Sequence, residues 1–282
     1  VTAVRIEVPA SSANLGAGYD VLAAALGLQL TVEVQETGRF RLVTDMHLRR
    51  DRQNLIVRAF ERILPAGRFE FRVRSTIPLS GGMGSSAAGV VAGLLAAKHF
   101  HGGSFDVLEL ATEIEGHPDN VAASLLGGLV ICDGDDVHRL KMPAGLGAVL
   151  VVPRKAVRTA LARQAVPTSV PIADAVHNIA HAAKLIAGLT TGDHQLIASG
   201  LGDRLHQPYR ADLYPRSAEL VALAAAHGAL GATISGAGPT VLVWCTEPQD
   251  PSLIQWLQQF SDGWADVMAV AFEPRGARVS AL

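Results

Sequence analysis

Apolar and polar positions alternate with period two near the start of the chain. Val4, Ile6 and Val8 are separated by Arg5 and Glu7, and Leu30, Val32 and Val34 by Thr31 and Glu33. That period predicts two half-buried strands. It then lengthens: behind Asn54, a suitable helix N-cap, Leu55, Ile56, Ala59, Phe60, Ile63 and Leu64 recur at helical spacing until Pro65 and Gly67. Phe69, Phe71 and Val73 restore the alternation, and a glycine-rich turn at 80–84 leads into a small-residue helix expected at 85–99. Ser104 is the expected cap of the next helix, which runs toward Gly116. His117-Pro118-Asp119-Asn120 breaks the pattern before a short helix at 121–126, and Asp133-Gly134 joins strands expected at 129–132 and 137–140. The second half predicts a strand at 148–152, helices at 159–164, 172–188, 194–201 and 217–227, a glycine turn at 235–239 between strands, a helix from Ser252 and a strand at 266–272. Strands and helices mix in both halves, so the chain is α+β or α/β, and the Pro/Gly-bearing stretch at 141–147 is the candidate boundary between two units.

Composition narrows the classes. The 282 residues are 49% hydrophobic and 18% charged, enough for a sizeable core and far from a disordered composition. Lys and Arg number 24 against 26 Asp and Glu, a net charge of −2 that leaves no global footprint for nucleic acid. Residues 39–74 do hold ten Arg against four acids, but these arginines alternate with apolar strand positions, as on a solvated sheet face. No apolar run reaches the ~18 residues of a membrane span; the richest stretch, 89–97, stops at Lys98 and His99. Residues 1–7 carry Arg5 and Glu7, unlike a secretory signal. Cys132 and Cys245 both sit in apolar runs and suit buried, reduced thiols. The expectation is a cytoplasmic protein with neither a nucleic-acid nor a membrane partner.

Four segments could carry chemistry. The first, Ile77-Pro78-Leu79-Ser80-Gly81-Gly82-Met83-Gly84-Ser85-Ser86-Ala87-Ala88, puts glycines and two hydroxyls where a loop enters a helix. Open N–H groups and the helix dipole there attract an anion, although a tightly packed, capped helix start explains the same residues. No Lys follows the last Gly, so a bound phosphate would need Mg²⁺ or a distant lysine, with a Ser hydroxyl available to the metal. Gly84-Ser85-Ser86-Ala87-Ala88 also approximates a nucleophile elbow, but Ala replaces the final Gly and no hydrophobic strand directly precedes it. In the second segment, Glu109 and Glu113 share a helix face ahead of Glu115 and His117-Pro118-Asp119-Asn120; this could form a cation site, but taken alone a solvated, capped face is the ordinary explanation. The third, Ser11-Ser12-Ala13-Asn14-Leu15-Gly16-Ala17-Gly18-Tyr19-Asp20, follows the first strand, and Asn14 and Asp20 could orient an ammonium or hydroxyl or merely cap a strand-to-helix connection. The fourth is Ser235-Gly236-Ala237-Gly238-Pro239-Thr240, a second glycine turn.

Together, in this order, these segments resemble the GHMP kinase superfamily and, within it, the homoserine kinase family. Val8 to Asp20 resembles the superfamily's first motif, Pro78 to Ala88 its phosphate loop and Ser235 to Thr240 its third motif. Glu115 to Ala122, Leu126-Gly127-Gly128 and Leu205-His206-Gln207-Pro208-Tyr209-Arg210 resemble stretches particular to homoserine kinases. The loop departs from the family at Ser80, where a glycine is usual, and at Met83, where Leu is usual. The resemblance implies an α+β, two-domain GHMP kinase fold. An N-terminal ATP-binding domain (1–145) would carry a left-handed β-α-β unit, and a ferredoxin-like C-terminal domain (146–282) would close a cleft against it. It implies ATP and Mg²⁺, with L-homoserine as substrate and a homodimer as the assembly. Carried over by position, Gly82, Met83, Gly84, Ser85 and Ser86 would wrap the phosphates, Ser86 and Glu109 hold Mg²⁺, and Asn54 lie near the adenine. Arg163 and Arg210 would take the homoserine carboxylate. Asn14, Asp20, His117 and Asp119 would take its ammonium end, and Asn120 would meet the attacking hydroxyl. Some relatives use the Asp at position 119 as a base; in homoserine kinases the resemblance implies transfer without one.

Overall fold

The computed structural model describes residues 3–79, 81–247 and 249–282, so the Ser80 departure lies outside the described residues. Val4, Ile6 and Val8 are buried as their spacing predicts, but strand β1 (Ala3–Ala13) runs on to Ala13. Its last residues are buried on both faces, with helices packed against the strand. The chain turns through residues 14–21 and enters a second strand rather than the helix one reading expected; β2 (Leu22–Glu36) pairs antiparallel along β1, with a bulge at Pro9/Ala10. The turn is tight enough that Asn14, Leu15 and Asp20 all adopt positive φ (72°, 47° and 55°), a conformation non-glycine residues rarely hold without local support.

Strand β3 (Arg41–Val43), helix α1 (Leu55–Phe60) and strand β4 (Phe69–Ser75) form a β-α-β unit with a parallel β3/β4 pair. Helix α2 (Ser85–His101) follows, then α3 (Val107–Glu115), α4 (Asp119–Leu126) and the hairpin β5 (Leu129–Asp133) and β6 (Asp136–Leu140). Asp106, not Ser104, caps α3, accepting from the N–H groups of Leu108 and Glu109. The small residues of α2 serve close packing: a Cβ on Gly93 would overlap the Ile56 carbonyl oxygen of α1.

The second half contributes β7 (Gly147–Pro153), α5 (Thr159–Gln164), α6 (Ile172–Thr191), α7 (His194–Gly200), the short α8 (Gln207–Arg210), α9 (Pro215–Leu223), β8 (Gly231–Ile234), β9 (Val241–Cys245), α10 (Pro251–Ser261), β10 (Ala265–Val270) and β11 (Arg278–Ala281). Its sheet has the antiparallel order β10-β7-β9-β8, the 4-1-3-2 arrangement of a ferredoxin-like domain. Central strand β7 is buried throughout except at its end, and its period-two alternation divides two cores. Ala148, Leu150 and Val152 join the core shared with the first half, while Val149 and Val151 face the core under α9 and α10. The final strand departs from the expected division at 145/146, because β11 returns to the first sheet and pairs with β1.

Candidate active site

The glycine-rich loop ends at Gly84, which starts the 17-residue helix α2 in left-handed conformation (φ 64°) without a side-chain cap. The first N–H groups of a long helix therefore stay open, with the positive end of its dipole behind them. A Cβ on Gly84 would overlap Ser11 Oγ, and one on Gly82 would overlap the Ser235 carbonyl oxygen, so both positions require glycine. The loop rests on the distant glycine turn: Ser235 Oγ donates to Gly82 O at 2.7 Å and Thr240 N–H to Gly81 O at 3.3 Å. Met83 sends its side chain into the core and offers the cleft only its backbone.

At the second residue of the helix, Ser86 Oγ donates to Glu115 Oε1 at 2.6 Å. Glu115 therefore holds the place expected for Glu109. The offset of six positions turns a helix by about 600°, which leaves Glu109 roughly 120° around α3. Glu109 is exposed there and lines a separate small depression with Asp106 and Asp135. The hydroxyl and carboxylate at the mouth of an anion-attracting helix end are the oxygen donors a hard divalent cation prefers. Ser86 is partnered by a carboxylate rather than a histidine, which argues against the nucleophile-elbow reading.

Asp119 opens α4 and is 1% exposed. Its Oδ1 accepts from Asn120 N–H at 2.7 Å and lies 2.8 Å from His117 Nδ1. The hydrogen bond to Asp119 lifts the His117 pKa above the ordinary value, outweighing the burial that opposes it. Ser11 Oγ donates to Asn120 Oδ1 at 2.9 Å and lies 3.0 Å from Ser124 Oγ. With Oδ1 engaged, the Asn120 amide presents Nδ2 as its remaining donor.

Across the cleft, Arg210 is a guanidinium only 1% exposed, with no carboxylate within 4 Å among the described residues. Its Nε donates to Ala162 O (2.9 Å) and its Nη1 to Gly236 O (3.2 Å) and His206 Nδ1 (3.1 Å). A cation buried without a counter-charge is costly unless something anionic completes it. Arg163 instead forms a two-pronged pair with Asp20, both contacts 3.1 Å; burial works against its charge, and Asp20 more than offsets that to raise its pKa. Asn14 is spent on geometry: Nδ2 donates to Gly236 O at 2.7 Å and Oδ1 accepts from Asp20 N–H at 3.0 Å, holding the turn against the second half.

These groups line one cleft of about 500 Å³ between the two sheets. Every residue to which the resemblance gives a site role reaches it except Glu109 and Asn54. Asn54 uses both ends of its amide locally, capping α1 through Ile56 N–H (3.0 Å) and donating to Arg49 O (2.8 Å). Sequence reasoning missed Glu115 as the partner of Ser86, although it stands in the run that ends at Asn120. It also missed Arg158 and Thr159, which line the cleft from the start of α5 and carry no motif.

A profile of the GHMP kinases N terminal domain matches residues 54–128, and one of the GHMP kinases C terminal domain matches 183–255. The homoserine kinase of Synechococcus sp. (strain WH7803) is 40% identical over 273 residues, covering 89% of this chain and 87% of the relative. That of Moorella thermoacetica is 38% identical, covering 85% and 86%. The crystal structure of homoserine kinase from Cytophaga hutchinsonii superposes with a TM-score of 0.88 at 29% identity, covering 99% of this chain and 98% of that one.

Proposed function

The chain belongs to the GHMP kinases and, within them, to the homoserine kinase family, and from that premise we propose that it transfers the γ-phosphoryl group of ATP to the side-chain hydroxyl of L-homoserine, giving the O-phospho-L-homoserine of threonine biosynthesis. The observation that carries the reading is Arg210, a buried guanidinium without a counter-charge, facing the same cleft as an uncapped helix N-terminus. One anion site suits the carboxylate of an amino acid, the other a polyphosphate.

In this reading the backbone N–H groups of Gly84, Ser85 and Ser86 cradle the phosphates, with Gly82 and Met83 shaping the approach. Ser86 and Glu115 would hold Mg²⁺, which would supply the phosphate-neutralising charge that no loop lysine provides. The Arg210 fork takes the substrate carboxylate, joined by Arg163 where its pair with Asp20 opens. Asp20 and Asp119 take the ammonium, and the second carboxylate oxygen of Asp119 remains for it because Oδ1 is already engaged. Asn120 Nδ2 steadies the attacking hydroxyl. Phosphoryl transfer depends on positioning and charge neutralisation more than on a base, so Asp119 acts as anchor and the hydroxyl proton passes to the transferred phosphate. The reading includes a 1–145/146–282 division of labour with β11 assigned to the first unit, a homodimer and a cytoplasmic location. Two buried free cysteines, their thiols pushed up to about 12 (Cys132) and about 11 (Cys245) by burial, suit that location.

ADP release measured against a panel of hydroxylated amino acids and mevalonate tests the proposal. Turnover should be largest with L-homoserine and require Mg²⁺. Preference for an alcohol lacking a carboxylate, or ligand binding without any turnover, would overturn it.

A further inference from the structure

His206 is wholly buried just ahead of α8, and the transfer scheme gives it no role. Its two ring nitrogens face opposite demands. Nε2 looks at two acceptors, the Gly16 carbonyl oxygen at 2.9 Å and Asp203 Oδ2 at 3.5 Å, whereas Nδ1 meets a donor, Arg210 Nη1, at 3.1 Å. A single arrangement satisfies all three: the neutral imidazole with its proton on Nε2. The ring also stacks on Tyr19, centroids 5.2 Å apart and planes 26° from parallel, and the Arg210 guanidinium lies 5.4 Å from that same Tyr19 ring. Asp203, which backs Nε2, is itself fixed by the N–H groups of Leu205, His206 and Gln207 and by the Asn178 amide, which also donates to Ala17 O. The imidazole thus joins the turn that carries Asp20 to the helix that carries Arg210.

We propose that His206 is a positioning residue for the substrate carboxylate: as its Nε2–H tautomer it accepts from Arg210 and fixes the orientation in which the guanidinium fork meets the cleft. The inference rests on the reading of Arg210 as carboxylate anchor. The charged groups around the ring are Arg210 on α8, Asp203 before it, and Asp20 on the facing turn. Burial drives the His206 pKa down, Asp203 opposes this and Arg210 reinforces it, so the ring is neutral at physiological pH. A proton added at Nδ1 would set N–H against N–H and turn the fork away. Homoserine affinity therefore falls at acid pH while ATP affinity, built on the other wall of the cleft, does not.

Two substitutions separate this role from mere filling of space. In His206→Asn a carboxamide oxygen can stand where Nδ1 accepts; in His206→Gln the amide reaches the Nε2 side and leaves Arg210 without its acceptor. Steady-state kinetics on the full chain should show the Gln variant raising homoserine KM roughly tenfold, the scale of one lost hydrogen bond to a charged group. Its ATP KM and kcat should change little, and the Asn variant should stay close to wild type in all three. The acid-side rise of homoserine KM centred below the ordinary histidine range should vanish in the Asn variant. Melting temperatures of both variants control for folding. Equal defects in the two variants, a parallel rise in ATP KM, or a wild-type homoserine KM that is flat on the acid side would overturn the inference alone. A wild-type enzyme that releases no ADP with homoserine would overturn the functional reading and the inference with it.

Discussion

Two carboxylates six residues apart on α3 compete for one role, and their surroundings decide between them. Glu115 accepts from Ser86 at the mouth of the phosphate-binding helix end, while Glu109 faces outward beside Asp106. Glu115→Gln should lower kcat roughly 10²-fold, the scale of losing one preorganised electrostatic partner, and weaken the Mg²⁺ dependence. Glu109→Gln should stay near wild type; the reverse result would restore Glu109 as the metal ligand. Asp119→Asn tests anchor against base. A lost charge-assisted hydrogen bond raises homoserine KM about ten- to a hundredfold with a modest fall in kcat, whereas a collapse of kcat at unchanged KM would make Asp119 the base. The same substitution acts on His117, whose pKa Asp119 raises. Since the folded value exceeds the unfolded one, the pair stabilises the fold fully below the unfolded value near about 6.5 and loses that contribution as pH rises through the folded value. An NMR titration should find the His117 midpoint above the ordinary histidine value in wild type and lower in Asp119→Asn.

At the scale of elements, the site depends on how closely α2 can approach its neighbours. Gly93 packs against the backbone of α1, where a Cβ would overlap Ile56 O. Gly93→Ala should therefore cost about 1–3 kcal/mol by overpacking and lower Tm, while leaving the ratio of the two substrate KM values unchanged. Gly84→Ala places its Cβ into Ser11 Oγ, which orients Asn120, so it should impair catalysis as well as stability. These contacts explain what the sequence could and could not convey. Period-two and helical spacing report β1, α1 and β4 because one face of each meets the core, and the Asp133-Gly134 turn reports the β5–β6 hairpin. They fail at Ala10–Ala13, where both faces are buried and no alternation remains to be read, whereas β7, buried as well, lies where a strand at 148–152 is expected. Glu109 comes from the family resemblance, and carry-over by position does not say where a helix ends or which way its last turn faces, which is what brings Glu115 to Ser86. Asn54 is legible as a cap and caps α1, with both ends of its amide engaged away from the cleft in which the resemblance would set it beside adenine.

The cleft itself belongs to the whole molecule. Asp20, Asp119 and the phosphate loop come from the first half and Arg163 and Arg210 from the second, yet the two halves share one core through β7, and β11 returns to β1. Helix α6 connects this arrangement to the outside. Its inner face buries Asn178, Leu185 and Leu189, with Asn178 tied to the substrate-side turn, while its outer face leaves Ile172, Val176 and Ile179 at 80%, 57% and 70% exposure. Spacings of four and three place these β-branched side chains on one stripe, and Ala183 continues it without a charge. An uncharged stripe is self-complementary, which suits the same helix of a second copy across a two-fold axis, and the proposed homodimer assigns it that partner. Ile179→Asp would set two carboxylates face to face at such an axis. Light scattering should then report twice the chain mass for wild type and the chain mass for the variant, with homoserine KM within a few-fold of wild type because the inner face is untouched. A monomeric wild type, or a variant that stays dimeric, would remove α6 from the interface and leave its exposed stripe unexplained.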